Sequence, residues 1–192
     1  MKNHANLYLC CLLLLTAFSC KKEQIPPPEP PCPEPCYSQY DIPGLPPVTD
    51  TGEGTLGFLL NGEPWVAEGY GGGFVDVHVA HNENTGYLRI KANRRIEEEN
   101  ISQYLYMQVA RDVFETNVPY VITNSDLLDF RDECNYGYYL IDDPNNQVVV
   151  NHIDIDRNII SVRFSCVLYQ EVCPTDTLRI TNGRVDAFYE SY

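Results

Sequence analysis

Ile159-Ile160-Ser161-Val162-Arg163-Phe164-Ser165-Cys166-Val167-Leu168-Tyr169 is the stretch on which the fold turns. Ile160, Val162, Phe164, Cys166 and Leu168 recur at every second position, and Ser161, Arg163 and Ser165 fall between them. A helix lines up its apolar side chains at a period of about 3.6 residues and a strand at a period of two. The alternation predicts an antiparallel strand with one face in a core and the other in water.

Working outward, residues 148–156 read as a strand joined to it by the turn Asp156-Arg157-Asn158, which makes a hairpin. Residues 177–181 and 184–189 flank Asn182-Gly183, a pair that tolerates positive φ and reads as a second hairpin turn. Towards the N-terminus, residues 55–60 run into Asn61-Gly62 and leave through residues 64–67 as another hairpin. Residues 74–79 and 87–92 flank a polar loop at 81–86. Residues 104–110, 120–123 and 136–141 read as further strands, and residues 125–130 as a single helical turn. The expectation is an all-β domain over residues 51–192: an antiparallel two-sheet β-sandwich of about nine strands.

The first fifty residues have another character. Lys2 and His4 precede a short apolar run over residues 7–18, closed by Ala17-Phe18-Ser19-Cys20. Such a run reads as a signal peptide over residues 1–19; it is too short for a bilayer core of about 30 Å at about 1.5 Å of helical rise per residue. A Cys after a small residue at that point resembles the bacterial lipobox, which implies lipidation of Cys20 with acyl chains such as palmitate. Residues 20–50 then form a proline-rich linker, with Pro26-Pro27-Pro28 and a Pro-Glu-Pro-Pro-Cys-Pro-Glu-Pro-Cys run ending at Cys36. That composition builds no core and is expected to be a disordered, extended spacer.

The formal net charge of −14 argues against nucleic acid as a partner, because phosphate backbones are bound by positive charge. It equally disfavours electrostatic attachment to an anionic bilayer, so the expected membrane partner is reached through the N-terminal acyl anchor. Beyond Cys20, the mature chain carries Cys32, Cys36, Cys134, Cys166 and Cys173, an odd number in a disulfide-permitting compartment. A bridge between Cys166 and Cys173 is the expected pairing, with Cys134 to either as the alternative and a local bridge between Cys32 and Cys36.

Candidate chemistry is sparse. His152, Asp154 and Asp156 alternate and would share a strand face, as metal ligands or, more simply, as a solvated surface. Asp142, Asp143, Asn145 and Asn146 make a polar loop without the ligand order of a calcium-binding loop. His78 and His81 lie near Asp76, but the chain contains neither a G-x-S-x-G elbow nor an HExxH motif. Glu97-Glu98-Glu99 reads as an exposed charge run, and Asp176-Thr177-Leu178 as a chance match to a short O-glycosylation sequon. Trp65 and Tyr70, beside Gly71-Gly72-Gly73, are the speculative ligand-binding pair: an aromatic platform for a glycan or peptide, with core packing as the plainer role for Trp65. No catalytic residue, metal site or cofactor is expected.

Three stretches carry a family likeness: Gly57-Phe58-Leu59-Leu60-Asn61-Gly62-Glu63-Pro64-Trp65, residues 153–164, and Ile180-Thr181-Asn182-Gly183-Arg184-Val185-Asp186. Together they resemble the uncharacterised outer-membrane lipoproteins of Bacteroidota, classed as domains of unknown function, over most of residues 51–192. Val162-Arg163 stands where a small Gly-Thr pair is usual there, and Val185 where Phe is common. What the resemblance implies is an address at the outer membrane, facing the cell surface or periplasm, and no reaction. The expected function is a lipid-anchored envelope binding module without catalysis. The alternatives are an accessory subunit of an envelope complex, with an envelope protein as its partner, and, third, a hydrolytic enzyme.

Overall fold

A computed structural model describes residues 41–69, 76–82, 84–98, 101–111, 113–129, 137–170 and 177–192, all in one compact unit. They form ten strands and no helix: β1 (Thr55–Leu60), β2 (Glu63–Val66), β3 (Val77–Asn82), β4 (Tyr87–Ile96), β5 (Ile101–Ala110), β6 (Pro119–Asp129), β7 (Gly137–Leu140), β8 (Gln147–Asp154), β9 (Ile159–Tyr169) and β10 (Thr177–Ser191). All ten belong to one sheet in the order β2-β1-β10-β3-β4-β5-β6-β7-β9-β8, with further pairings of β10 to β9 and of β6 to β8. The hydrogen bonds therefore run in a circuit from β10 through β3, β4, β5, β6, β8 and β9 back to β10. β7 and β8 lie end to end in the slot between β6 and β9.

The all-β expectation holds, and three of its details change. The sheet is mixed, not antiparallel: β10 pairs in parallel with β3 through Tyr189↔Val79, Glu190↔Ala80 and Ser191↔His81. These strands are separated by most of the domain, so no tight hairpin dictates an antiparallel sense. The helical turn expected from Ser125 is strand as far as Asp129, and Phe130 lies outside the described residues. Between Ile122 and Asn124 the register against β5 shifts by one residue, so Thr123 is an extra residue in the ladder. The inward set of Tyr120 and Ile122 resumes at Ser125 and Leu127, and this step of three mimics helical spacing. Finally, Asn182-Gly183 is a bulge inside the 15-residue β10, where the register against both β1 and β9 slips.

The core is filled as the alternation requires. Phe58 stacks on Trp65 with ring centroids 4.5 Å apart, and the edge of Phe164 meets Phe58 at 5.9 Å. Leu105, Met107 and Ile90 close the opposite side, each no more than 1% exposed. Burying each such side chain contributes about 1.5–3 kcal/mol. In β9, Val162, Phe164, Cys166 and Leu168 point inward as read from the sequence.

Residues 41–54 cross the outside of β1 and β10 as a strap. Asp186 holds it: Oδ1 accepts from the Gly52 amide at 2.8 Å, and Oδ2 from Thr49 Oγ1 at 2.6 Å and from the amides of Thr51 and Glu53 at 3.1 and 3.3 Å. Arg184 donates to the Pro46 carbonyl at 3.0 Å. A Cβ on Gly57 would sit 2.5 Å from Pro46 Cδ, so only glycine at this place in β1 lets the proline lie against the strand.

Candidate functional site

The β8–β9 hairpin is built by local chemistry. Asp154 accepts from the Arg157 amide at 2.9 Å and from Arg157 Nε at 2.6 Å, which holds its carboxyl below the usual range, and Asn158 takes the left-handed conformation at φ 55°. Register then pairs Ile153 with Ile160, and Ile155 projects from the turn 74% exposed. Apolar residues at turns are unusual, because turn backbone lies in water.

Facing this hairpin is the connection between β5 and β6. The Glu115 amide donates to the Tyr120 hydroxyl at 2.6 Å, and the Asn117 amide donates to the Val150 carbonyl at 2.7 Å, which fastens the connection to β6 and β8. Phe114 meets Tyr120 edge-on at 5.1 Å and His81 edge-on at 5.7 Å. Val113 at the lip is 70% exposed. Between hairpin and connection lies an open cavity of about 350 Å³ whose walls include Phe114, Ile153, Ile160, Leu88, Tyr189 and His81. Its size falls within the range of small-molecule pockets, which are mostly apolar with a few placed polar groups. Polar groups in the lining are Ser191, Tyr189 and the imidazole of His81, whose Nε2 is buried and has no hydrogen-bond partner. The arrangement suits a compact apolar molecule with one polar function.

The residues singled out by sequence lie elsewhere. Trp65 is 1% exposed, and its indole N–H donates to Gln103 Oε1 at 2.7 Å; Gln103 Nε2 in turn donates to Asp129 at 2.6 Å. It is a core residue with its polar handle satisfied, not a surface platform. Tyr70 and the glycines beside it lie outside the described residues, as do Cys20, Cys32, Cys36, Cys134, Cys173 and the sequon Asp176. Cys166 is a free thiol, fully buried, and burial pushes it up to about 12, so it stays protonated at neutral pH. Its expected partner, Cys173, is not among the described residues.

His152, Asp154 and Asp156 are not brought together: Asp154 is spent on the turn and Asp156 is exposed on it. Asn146 closes the loop after β7, accepting from the Val167 amide at 2.8 Å and donating to the Ile141 carbonyl, and Asp143 accepts from the Asn145 amide at 2.8 Å. That loop is an ordinary turn pinned to β9. His78 faces outward, 3.3 Å from Glu190, on the opposite side of β3 from His81. Among the described residues no group of three or more His, Cys, Asp or Glu is placed to hold a metal ion. Sequence reasoning passed over Phe114 and Ile155. Phe114 offered one signal, an aromatic between two strands; Ile155 offered none, because residues 148–156 read as a strand and only the structure ends β8 at Asp154.

Compared with protein-family models, with curated proteins and with solved structures, the chain finds no match in any of the three.

Proposed function

We propose that the chain is a lipid-anchored envelope module that binds a small apolar or amphipathic molecule, without catalysis, in the pocket between the β8–β9 hairpin and the β5–β6 connection. The observation that carries this reading is the pairing of a preformed apolar cavity of about 350 Å³ with two apolar residues, Val113 and Ile155, left exposed at its mouth. Exposed apolar surface around a concavity marks binding sites more often than inert surface. Three groups that chemistry could have used have structural employment instead: Asp186 holds the strap, Asp154 holds a turn and Cys166 is sealed in the core.

The address is part of the same proposal. Cleavage before Cys20, acylation there and a proline-rich spacer would hold the module off the outer membrane, in keeping with the resemblance to Bacteroidota lipoproteins. The two-layer sandwich is kept as the description of how the single sheet folds about its core. It is supported by the Trp65 indole of β2, which reaches Gln103 of β5, a strand that β2 does not pair with.

An accessory-subunit reading has one observation in its favour: Val121 and Tyr139 are 69% and 46% exposed on the outer faces of neighbouring strands. Crosslinking in native membranes that recovers only monomer counts against it.

The binding reading is tested by displacing a fluorescent apolar probe with fatty acids, isoprenoids and sterols, using wild type, Val113→Asp and Ile155→Asp. The expected result is saturable binding weakened at least tenfold by either rim variant, with unchanged melting temperature. No saturable binding, or equal binding by all three proteins, sinks it. Protease shaving of cells expressing wild type or Cys20→Ala tests the address: wild type membrane-bound and shaved, the variant soluble.

A further inference from the structure

A second cavity lies on the other side of the β8–β9 hairpin. Alternation that sends Ile153, Ile160 and Val162 one way sends Ser161 and Arg163 the other. The register shift between Val150 and His152 makes Asn151 an extra residue, and both Asn151 and His152 line this side. The strap supplies the opposite wall through Thr49 and Asp50, so that with Asn151, His152, Ser161 and Arg163 it borders an open cleft of about 280 Å³.

Two atoms in these walls stand out. Arg163 Nε and His152 Nε2 are both buried and neither has a hydrogen-bond partner. A buried polar atom left unsatisfied costs about 1–3 kcal/mol, and Arg163 Nε is a donor in every state of the guanidinium. Arg163 also stands directly opposite Arg184 in the β9–β10 register, a like-charge juxtaposition that destabilises a sheet. Arg184 is partly compensated by the Pro46 carbonyl and by the nearby charge of Asp41. Arg163 has neither a hydrogen bond nor an ion pair among the described residues. Asp50 is the single carboxylate in the lining, and it does not pair with Arg163.

We propose that this cavity is an oxyanion-binding site, in which Arg163 and His152 take a carboxylate or phosphate carried on a compact organic molecule and Ser161, Asn151 and Thr49 meet its remaining polar groups. Guanidinium is the side chain best suited to such groups because it is planar, always charged and weakly hydrated. The mixed lining argues for a carrier: beside Arg163 and His152 stand the neutral polar side chains Ser161, Asn151 and Thr49, which a bare oxyanion held by those two groups would leave unused. The site is separate from the apolar pocket and does not depend on that reading.

The test is calorimetric titration of the purified full-length protein with inorganic phosphate, glucuronate and neutral glucose, with the His152 imidazole followed by NMR. Glucuronate is expected to bind and to shift the His152 resonances, glucose to do neither, and phosphate to bind at least tenfold more weakly. Arg163→Gln is expected to abolish binding while melting at the same or a higher temperature than wild type without ligand, since it removes an uncompensated charge. His152→Gln serves as a second variant, expected to weaken binding at least tenfold, and Arg157→Gln, at the hairpin tip, to bind as wild type. Phosphate binding as tightly as glucuronate overturns the organic carrier. Absence of binding by either anion, or binding unchanged in both the Arg163 and His152 variants, overturns the site. A large fall in the melting temperature of Arg163→Gln without ligand also overturns it, because it would make Arg163 a structural residue.

Discussion

Asp186 is 2% exposed and still ionised, because the strap surrounds it with the amides of Thr51, Gly52 and Glu53 and the hydroxyl of Thr49. Burial alone would raise its pKa; the hydrogen bonds from Thr49, Gly52, Glu53 and Thr51 outweigh burial and hold the carboxyl below its ordinary value. A carboxyl with a depressed folded pKa contributes stability that is fully present above the unfolded value of about 3.9 and is lost as pH falls through the folded value. Asp186→Asn turns one accepting oxygen into an amide that faces other amides. The expected loss is about 2 kcal/mol at pH 7, shrinking as pH falls below about 3.9, from urea denaturation at both pH values. A loss that is the same at both overturns the charged role. In the sequence Asp186 read only as the end of a short motif, because its donors lie more than 130 residues away.

At the scale of elements, Asn-Gly was used twice with different results. Asn61 and Gly62 take φ of 51° and 92° and close the two-residue turn between β1 and β2. Asn182 takes φ 53° as well, yet β10 continues through it as a bulge. The local code, tolerance of positive φ, is identical; the partner strands decide, because β1 and β9 flank both halves of β10 and hold it straight. Gly183 belongs to that bulge by contact: a Cβ there would lie 2.6 Å from the Phe164 ring. Gly183→Ala is expected to destabilise by about 1–3 kcal/mol through overpacking, in a urea melt. Phe164→Leu in the same chain is expected to recover part of that difference. A Gly183→Ala protein that melts like wild type would mean that the bulge does not depend on this contact.

For the whole molecule, the strap couples the N-terminal side of the domain to its last strand, and it forms one wall of the polar cleft. A chain beginning at Thr51 loses the Thr49 bond to Asp186 and the Pro46 bond to Arg184, and it uncovers Ser161 and part of β1. It is expected to be about 3 kcal/mol less stable and to lose glucuronate binding, while keeping the apolar probe, since no strap residue lines that pocket. Loss of both ligands would show that the two sites are not independent. Sequence by itself determined the strand character of the chain and most inward-facing residues, from Leu56 and Phe58 to Phe164 and Leu168, because side-chain alternation is a local property of extended backbone. Beyond the hairpins β1–β2, β3–β4 and β8–β9, which their turns already announced, only the tertiary structure decided the strand order, the parallel β3–β10 ladder, the bulges at Thr123 and Asn182, and both cavities. Apart from the Thr123 bulge, which lies between the consecutive strands β5 and β6, these features arise where segments remote in sequence meet, and period-two patterning carries no information about which distant partner a strand will find.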